Sequence, residues 1–378
     1  MPFPRLGTEL HPEAAVVAKE PRISADSHMA EPPDLWEKRL PKEFKDRALR
    51  FPNVKLLETP IHLRAGGWDP HERLRDQALD GVSAEVLYPT LGYQAYQTDN
   101  PALEAACCRA YNDWVIEFCS VAPHRFWGLG MISMWDIDGA VKELERCKGE
   151  GMRGATIGLV PADELLYSSP HYERFWAACQ ELEMSVNFHI NSGPGRPRSF
   201  NNGLQPRAGI LPDGVHKFDC MKAVGNMIAA GVMERYPKLN VVVAEAGVGW
   251  IPFFAQEFDY YKNIFSGRGD ALPKAPSEYI DRQVFGAFIS DNVGGHLLPR
   301  YGQDTFMWSN DYPHPACIWP VSTAAIAQDL GHLTPESRIK VTCTNAARLY
   351  NNGEPPAPAD PPGEVQDMTT WDKAHWHD

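Results

Sequence analysis

Short apolar runs rich in β-branched residues alternate with longer stretches of helical periodicity along most of this chain. Strands are predicted over 22–28, 84–89, 126–133, 154–159, 185–190, 240–245, 285–290 and 305–311. Helices are predicted between them, over 102–119, 136–149, 170–183, 218–235, 249–263 and 319–329, with a last one over 330–350. The clearest helical pattern places Leu103, Ala106, Cys107, Ala110, Tyr111, Trp114, Val115 and Phe118 on one face. Pro123 and Pro237 stand just beyond two predicted helix ends, where a ring without an N–H is tolerated. Eight strands with intervening helices predict a closed α/β architecture, a (β/α)8 barrel of the TIM type. A doubly wound open sheet fits less well, because Gly247-Val248-Gly249 lacks the rest of a dinucleotide-binding glycine pattern.

Two loop insertions, 43–75 after the first strand and 191–217 after the fifth, fall where barrel loops cover the active face. The organisation read from these patterns is an N-terminal arm (1–20), a barrel (21–350) and a Pro-rich C-terminal tail (351–378). The tail carries Trp371, His375, Trp376 and His377, which predicts docking on the barrel or on another subunit, and so a homo- or hetero-oligomer.

Composition narrows the function classes. A net charge of −13 argues against nucleic acid, whose backbone demands basic patches. No apolar run is long enough for a membrane span, and the first residues lack the apolar centre of a signal peptide. The eight cysteines form no C-x-x-C pair, so reduced, buried thiols in a cytoplasmic protein are expected. The expected partner is a small-molecule substrate.

Chemistry in a barrel collects at the C-terminal ends of the strands. Strand 1 delivers Asp26 and His28 to one face, and Glu31 follows just before Pro32-Pro33. Strand 5 ends in His189, with Asn187 on the same face. Strand 6 ends in Glu245 after three valines, and a Glu is rarely buried there without a partner. Strand 8 ends in Asp311, with His314 three residues on. Singly, each has a plain reading: His189 as a hydrogen-bonded core residue, Asp311 as a helix cap, His314 as a loop residue. Jointly, they converge on one rim, and so many buried carboxylates and imidazoles call for a cation. Asp26, His28, Glu31, His189, Glu245, Asp311 and His314 are therefore the expected ligands, with Asp311, Glu245 and His189 also expected in catalysis. His62, His71, His124, His171, His216 and His296 show no partner pattern, although His216 and His296 lie near rim loops. No G-x-S-x-G elbow, H-E-x-x-H motif or P-loop is present.

Asp26-Ser27-His28-Met29-Ala30-Glu31-Pro32, Asp80 to Thr90, Gly247 to Pro252 and Ser309-Asn310-Asp311-Tyr312-Pro313-His314 together resemble the amidohydrolase superfamily. The resemblance covers roughly residues 20–350 and points to the branch containing aminocarboxymuconate semialdehyde and resorcylate decarboxylases. It implies metal-site roles for Asp26, His28, His189 and Asp311. Those decarboxylases carry a strand-6 His that assists catalysis, where this chain has Glu245. Four carboxylates and three imidazoles exceed the needs of one zinc and nearly balance two divalent ions, with Fe or Mn favoured and Zn the alternative. That set is similar to a dinuclear group in the same branch, which includes the large subunit of 2-aminoisobutyrate hydroxylase. The expected activity is O2-dependent hydroxylation of a small polar substrate. Metal-hydroxide hydrolysis of an ester, thioester or amide, nonoxidative decarboxylation, and a supporting role in a hetero-oligomer are the alternatives.

Overall fold

The computed structural model describes residues 11–50, 59–159, 161, 165–192, 213–265 and 272–357, with the backbone alone for 213–216. Eight strands, β1 (Ile23–His28), β2 (Ala84–Tyr88), β3 (Phe126–Met131), β4 (Gly154–Thr156), β5 (Ser185–His189), β6 (Val241–Ala244), β7 (Val284–Phe288) and β8 (Phe306–Trp308), pair in chain order. Each of the seven ladders is parallel. Every strand residue is buried, which is why these segments read as near-continuous apolar runs. The chain beyond β8 closes the ring: Asp311 N–H donates to Asp26 O at 3.0 Å, and His28 N–H donates to Tyr312 O at 2.7 Å. The expected (β/α)8 barrel is the observed fold.

The helices begin and end on local signals. In α1 (Ala14–Val17) and α2 (Leu35–Arg39) only short turns form. The Asp69 side chain accepts from the N–H groups of His71 and Glu72 to start α3 (Pro70–Asp80), and Gly81, at φ 71°, ends it. Asn100 caps α4 (Pro101–Ser120), and Asp136 caps α5 (Ile137–Gly149). After α6 (Glu173–Glu181), the single helix predicted over 218–235 is two: α7 (Asp213–Ala229) and α8 (Val232–Arg235), divided by Gly231 at φ 71°. Then follow α9 (Trp250–Ile264), α10 (Pro276–Gln283), α11 (Asn292–Leu297) and α12 (Ser322–Leu330). The last predicted helix, 330–350, is also divided. It becomes α13 (Pro335–Ile339), capped by Thr334, then a π-helical turn (Lys340–Thr344) and α14 (Asn345–Tyr350).

Residues 11–20 pack on the barrel. Val17 O accepts from Arg22 at 2.8 Å, and Glu20 pairs with Arg338 at 2.6 Å. Most of the 191–217 insertion, the side chain of His216, and Trp371, His375, Trp376 and His377 lie outside the described residues. All eight cysteines are free thiols, and all but Cys119 are buried. Among the described residues, no helix is long and apolar enough to cross a membrane.

Candidate metal centre

Strand β1 supplies two buried constellations because its pairing with β2 shifts register between Ser24 and Ser27. The hydroxyls of Ser24 and Ser27 meet at 2.8 Å on the side facing Glu85 and Asn310. Asp26 and His28 go to the lumen, where they meet His189 from β5, Glu245 after β6, and Asp311 and His314 after β8. Glu245 and Asp311 have φ values of 56° and 60°. Non-glycine residues rarely adopt this left-handed conformation, and here it turns both carboxylates at strand ends.

The ring nitrogens have separate tasks. Nδ1–H of His28 donates to Pro89 O at 3.0 Å, and Nδ1–H of His189 donates to Ile190 O at 2.7 Å. Both Nε2 atoms are then lone-pair acceptors, yet they face each other at 3.0 Å. Asp26 Oδ1 lies 3.5 Å from the first and 3.7 Å from the second. Neither Asp26 oxygen nor either Asp311 oxygen has a hydrogen-bond partner, although all four are buried. Lone pairs facing lone pairs beside unsatisfied carboxylates are repulsive without a cation, so this donor set fits a divalent metal. The candidate ligand atoms form two groups, Asp26–His28–His189 and His28–Glu245–Asp311–His314, each within 4.8 Å.

The electrostatics agree. Burial, then the charges of Asp311 and Glu245, push the Asp26 carboxyl well above its ordinary range. Burial drives His189 down to about 3 and His28 well below its ordinary value, which keeps both imidazoles neutral as metal ligation requires. Burial opposes protonation of His314 too, but Asp311, Glu245 and Glu31 outweigh it and raise that ring. His314 Nδ1 sits 3.2 Å from Asp311, its Nε2 is 2.9 Å from the Thr90 hydroxyl, and its ring stacks on His28 at 3.8 Å. Tyr93 stacks on His189 at 5.2 Å and walls the site. Glu245, with its side chain 19% exposed, is the most accessible acid of the set and marks the mouth.

One expected ligand is not in the cluster. Glu31 accepts from the N–H groups of Thr90, Leu91 and Gly92 at 3.0, 2.9 and 2.9 Å. It caps the 3-10 turn Leu91–Gln97, and its oxygens are committed there. The sequence reading also passed over His62, which is buried, with Nδ1 unpartnered and its ring 6.3 Å from His314. His296 instead packs on His332. Arg73 was missed as well. It donates to Glu85 at 2.6 Å and to the carbonyls of His28, Gly66 and Tyr312, holding both edges of the barrel seam. Its position on α3, four residues before Gln77, is an ordinary helical spacing that gives no sign of this role.

The Amidohydrolase family profile matches residues 60–351, so the chain belongs to that family. Gamma-resorcylate decarboxylase of a Rhizobium strain is 25% identical over 360 residues, covering 87% of this chain and 94% of that protein. The 2-amino-3-carboxymuconate-6-semialdehyde decarboxylase of Dictyostelium discoideum is 29% identical over 257 residues, covering 66% and 67%. An amidohydrolase of Mycobacterium avium subsp. paratuberculosis shares the fold with a TM-score of 0.74 at 19% identity, covering 88% of this chain and 100% of its own. The 5-carboxyvanillate decarboxylase of Novosphingobium aromaticivorans, solved with manganese, gives 0.68 at 18%, covering 92% and 99%.

The decarboxylase branch of the superfamily is therefore the right placement, and the expected O2-dependent hydroxylation is corrected. These curated relatives are decarboxylases, which are lyases and neither oxygenases nor hydrolases. The hydroxylase expectation rested on four metal-binding carboxylates, and Glu31 spends its oxygens on backbone N–H groups instead.

Proposed function

We propose that this protein is a metal-dependent decarboxylase that removes CO2 from a small carboxylic acid without oxidation. The observation that carries the metal is the 3.0 Å approach of the His28 and His189 Nε2 lone pairs beside the unpartnered Asp26 carboxylate. The decarboxylase relatives support the reaction class. Asp26, His28 and His189 would hold one divalent ion, with Glu245, Asp311 and His314 available to a second. His28 Nε2 has one lone pair and serves only one of them. Three carboxylates outweigh a single divalent ion, whereas two ions leave the positive charge that a carboxylate substrate needs. The oxygen-rich donors favour Mn or Fe, with Zn the alternative, and manganese is present in a related decarboxylase structure.

A bound divalent ion supplies charge stabilisation for the substrate's carboxylate and an adjacent oxygen. The chain's own residues do the rest. Decarboxylation replaces a C–CO2 bond with C–H, so one proton must reach the carbon as CO2 leaves. The second oxygen of Glu245, the most accessible acid of the set, would carry that proton to the carbon, which leaves Asp311 and His314 to hold the second ion. Tyr93 and His189 close one wall against water.

The test is anaerobic turnover of protein loaded separately with Mn, Fe or Zn, against 2,6-dihydroxybenzoate, 5-carboxyvanillate and related acids in D2O. CO2 release without O2, and one deuterium at the vacated carbon, is expected. Strict O2 consumption during turnover, or full activity after metal is stripped, would refute the proposal.

A further inference from the structure

Helix α7 follows β5, so it starts at the rim where the strands end. It carries one lysine on its inner face and one on its outer face. Cys220, Val224, Met227 and Ile228 are buried and mark the inner face. Lys217 stands three residues before Cys220 and seven before Val224, so it continues that face by one turn towards the rim. It is half-buried there. The outer face carries Lys222, 74% exposed and paired with Asp219 at 2.9 Å. Lys222 shows where this helix puts a lysine that needs only water and a neighbouring acid.

Lys217 overlooks the metal centre. Burial and the neighbouring acids raise the Asp26 carboxyl, and the Lys217 charge counters them. Burial lowers His189, and the charges of His314 and Lys217 lower it further. Burial, Asp219 and Glu245 raise the Cys220 thiol, with Lys217 acting against them. The lysine is therefore within electrostatic reach of Asp26, of His189 and of the mouth that Glu245 marks. Among the described residues, no acid closes on it as an ion pair. A cation drawn partly out of water on an inward face, with no acid upon it, is costly until an anion arrives.

We infer that Lys217 receives a second carboxylate of the substrate, so that the acid held at the ions is a dicarboxylate. The inference rests on the decarboxylase reading, in which the departing carboxylate lies on the divalent ions. That group is neutralised where Asp26, His28 and His189 converge, so a rim ammonium outside the donor groups meets the far end of the molecule. An ammonium is a compact point charge on a flexible stem, with three donors and no acceptor, and it takes an anionic oxygen without demanding a fixed planar geometry. Phenols are largely neutral at pH 7, so a carboxylate is the oxygen group of a small organic acid that fits. A monoacid would leave Lys217 covered and unpaired.

Titration calorimetry of the Mn-loaded full chain tests this with benzoate, isophthalate and terephthalate, which differ only in the number and position of their carboxylates. At least one dicarboxylate should bind about tenfold tighter than benzoate, the effect of one charge-assisted hydrogen bond. Lys217→Met should remove that advantage and leave benzoate affinity unchanged, whereas Lys217→Arg should keep most of it. Mn content and melting temperature should match the wild type in both variants, which separates lost recognition from a damaged fold. Dicarboxylates that bind no tighter than benzoate, an advantage that survives Lys217→Met, or an equal loss for benzoate would each overturn the inference. CO2 release is a separate readout: a chain that binds a dicarboxylate through Lys217 but releases no CO2 refutes the decarboxylase reading and leaves the role of the lysine standing.

Discussion

Two buried polar clusters lie back to back on strand β1, and they are built on opposite principles. Behind the strand, under α3, Arg73 meets Glu85, Gln77 donates to the same carboxylate, and the Ser27 hydroxyl donates to its other oxygen. Asn310 accepts from Ser24 and donates to Asp80, which also accepts from Ser322. Charge and hydrogen bonds are largely satisfied there. In the lumen, a few ångströms away, Asp26 and Asp311 have no hydrogen-bond partner and two imidazole lone pairs face each other. A fold that satisfies one face of a strand and leaves the other unsatisfied has reserved the second face for something it does not itself contain.

Substitutions can break or sharpen that contrast. The largest effect is expected from Arg73→Met, which strands the buried Glu85 charge and releases the carbonyls of His28 and Tyr312. Stability to urea should fall by about 3–5 kcal/mol. Metal comes next. Added Mn at about 100 times its dissociation constant should stabilise the wild type by roughly 2.7 kcal/mol. Asp26→Asn should abolish that gain, while the metal-free variant melts no lower than the metal-free wild type, because burial and the neighbouring acids already disfavour the Asp26 charge that the substitution removes. A metal-free Asp26→Asn protein that unfolds several degrees early would show that Asp26 belongs to a satisfied network after all.

Asp80 gives the satisfied side a pH signature. Burial, opposed by hydrogen bonds from Ser322 and Asn310, pushes its carboxyl up to about 6, against 3.8 ordinarily. Between those values the folded chain holds a proton that the unfolded chain has released. Stability from this group therefore falls as pH rises from about 4 to 6, by about 3 kcal/mol, and is flat outside that window. Asp80→Asn should flatten the profile in chemical denaturation across that range. The smallest effect is expected at Glu31. Glu31→Gln weakens three backbone hydrogen bonds, so about 1 kcal/mol of stability should be lost with metal content unchanged. Metal analysis showing a lost equivalent would restore Glu31 as a ligand.

The placement of Glu31 outside the cluster has a physical cause. In the sequence it is an acid three residues past His28, at a spacing that suits a ligand. Its commitment depends on the turn at 90–92, which arrives from the far end of β2 with three free N–H groups. No periodicity within 26–33 encodes that meeting. His62 and Arg73 were hidden for the same reason. By contrast, His189 and Glu245 were legible because each is an ionisable residue at the end of a buried strand, and the barrel rule fixes the rim to which such ends belong. The helix break at Gly231 was also readable in principle, from a glycine in the final turns of a helical pattern.

By itself, the sequence determined the order of strands and helices, the barrel that order implies, and the acids and imidazoles at its strand ends. Alternation and strand termini are local properties of the chain, and burial of apolar runs leaves few ways to arrange them. Only the tertiary structure decided which of those groups remain unsatisfied. Whether a carboxylate is a ligand or a cap depends on which N–H groups a distant turn brings within about 3 Å of it, and that distance is set when the ring of strands closes.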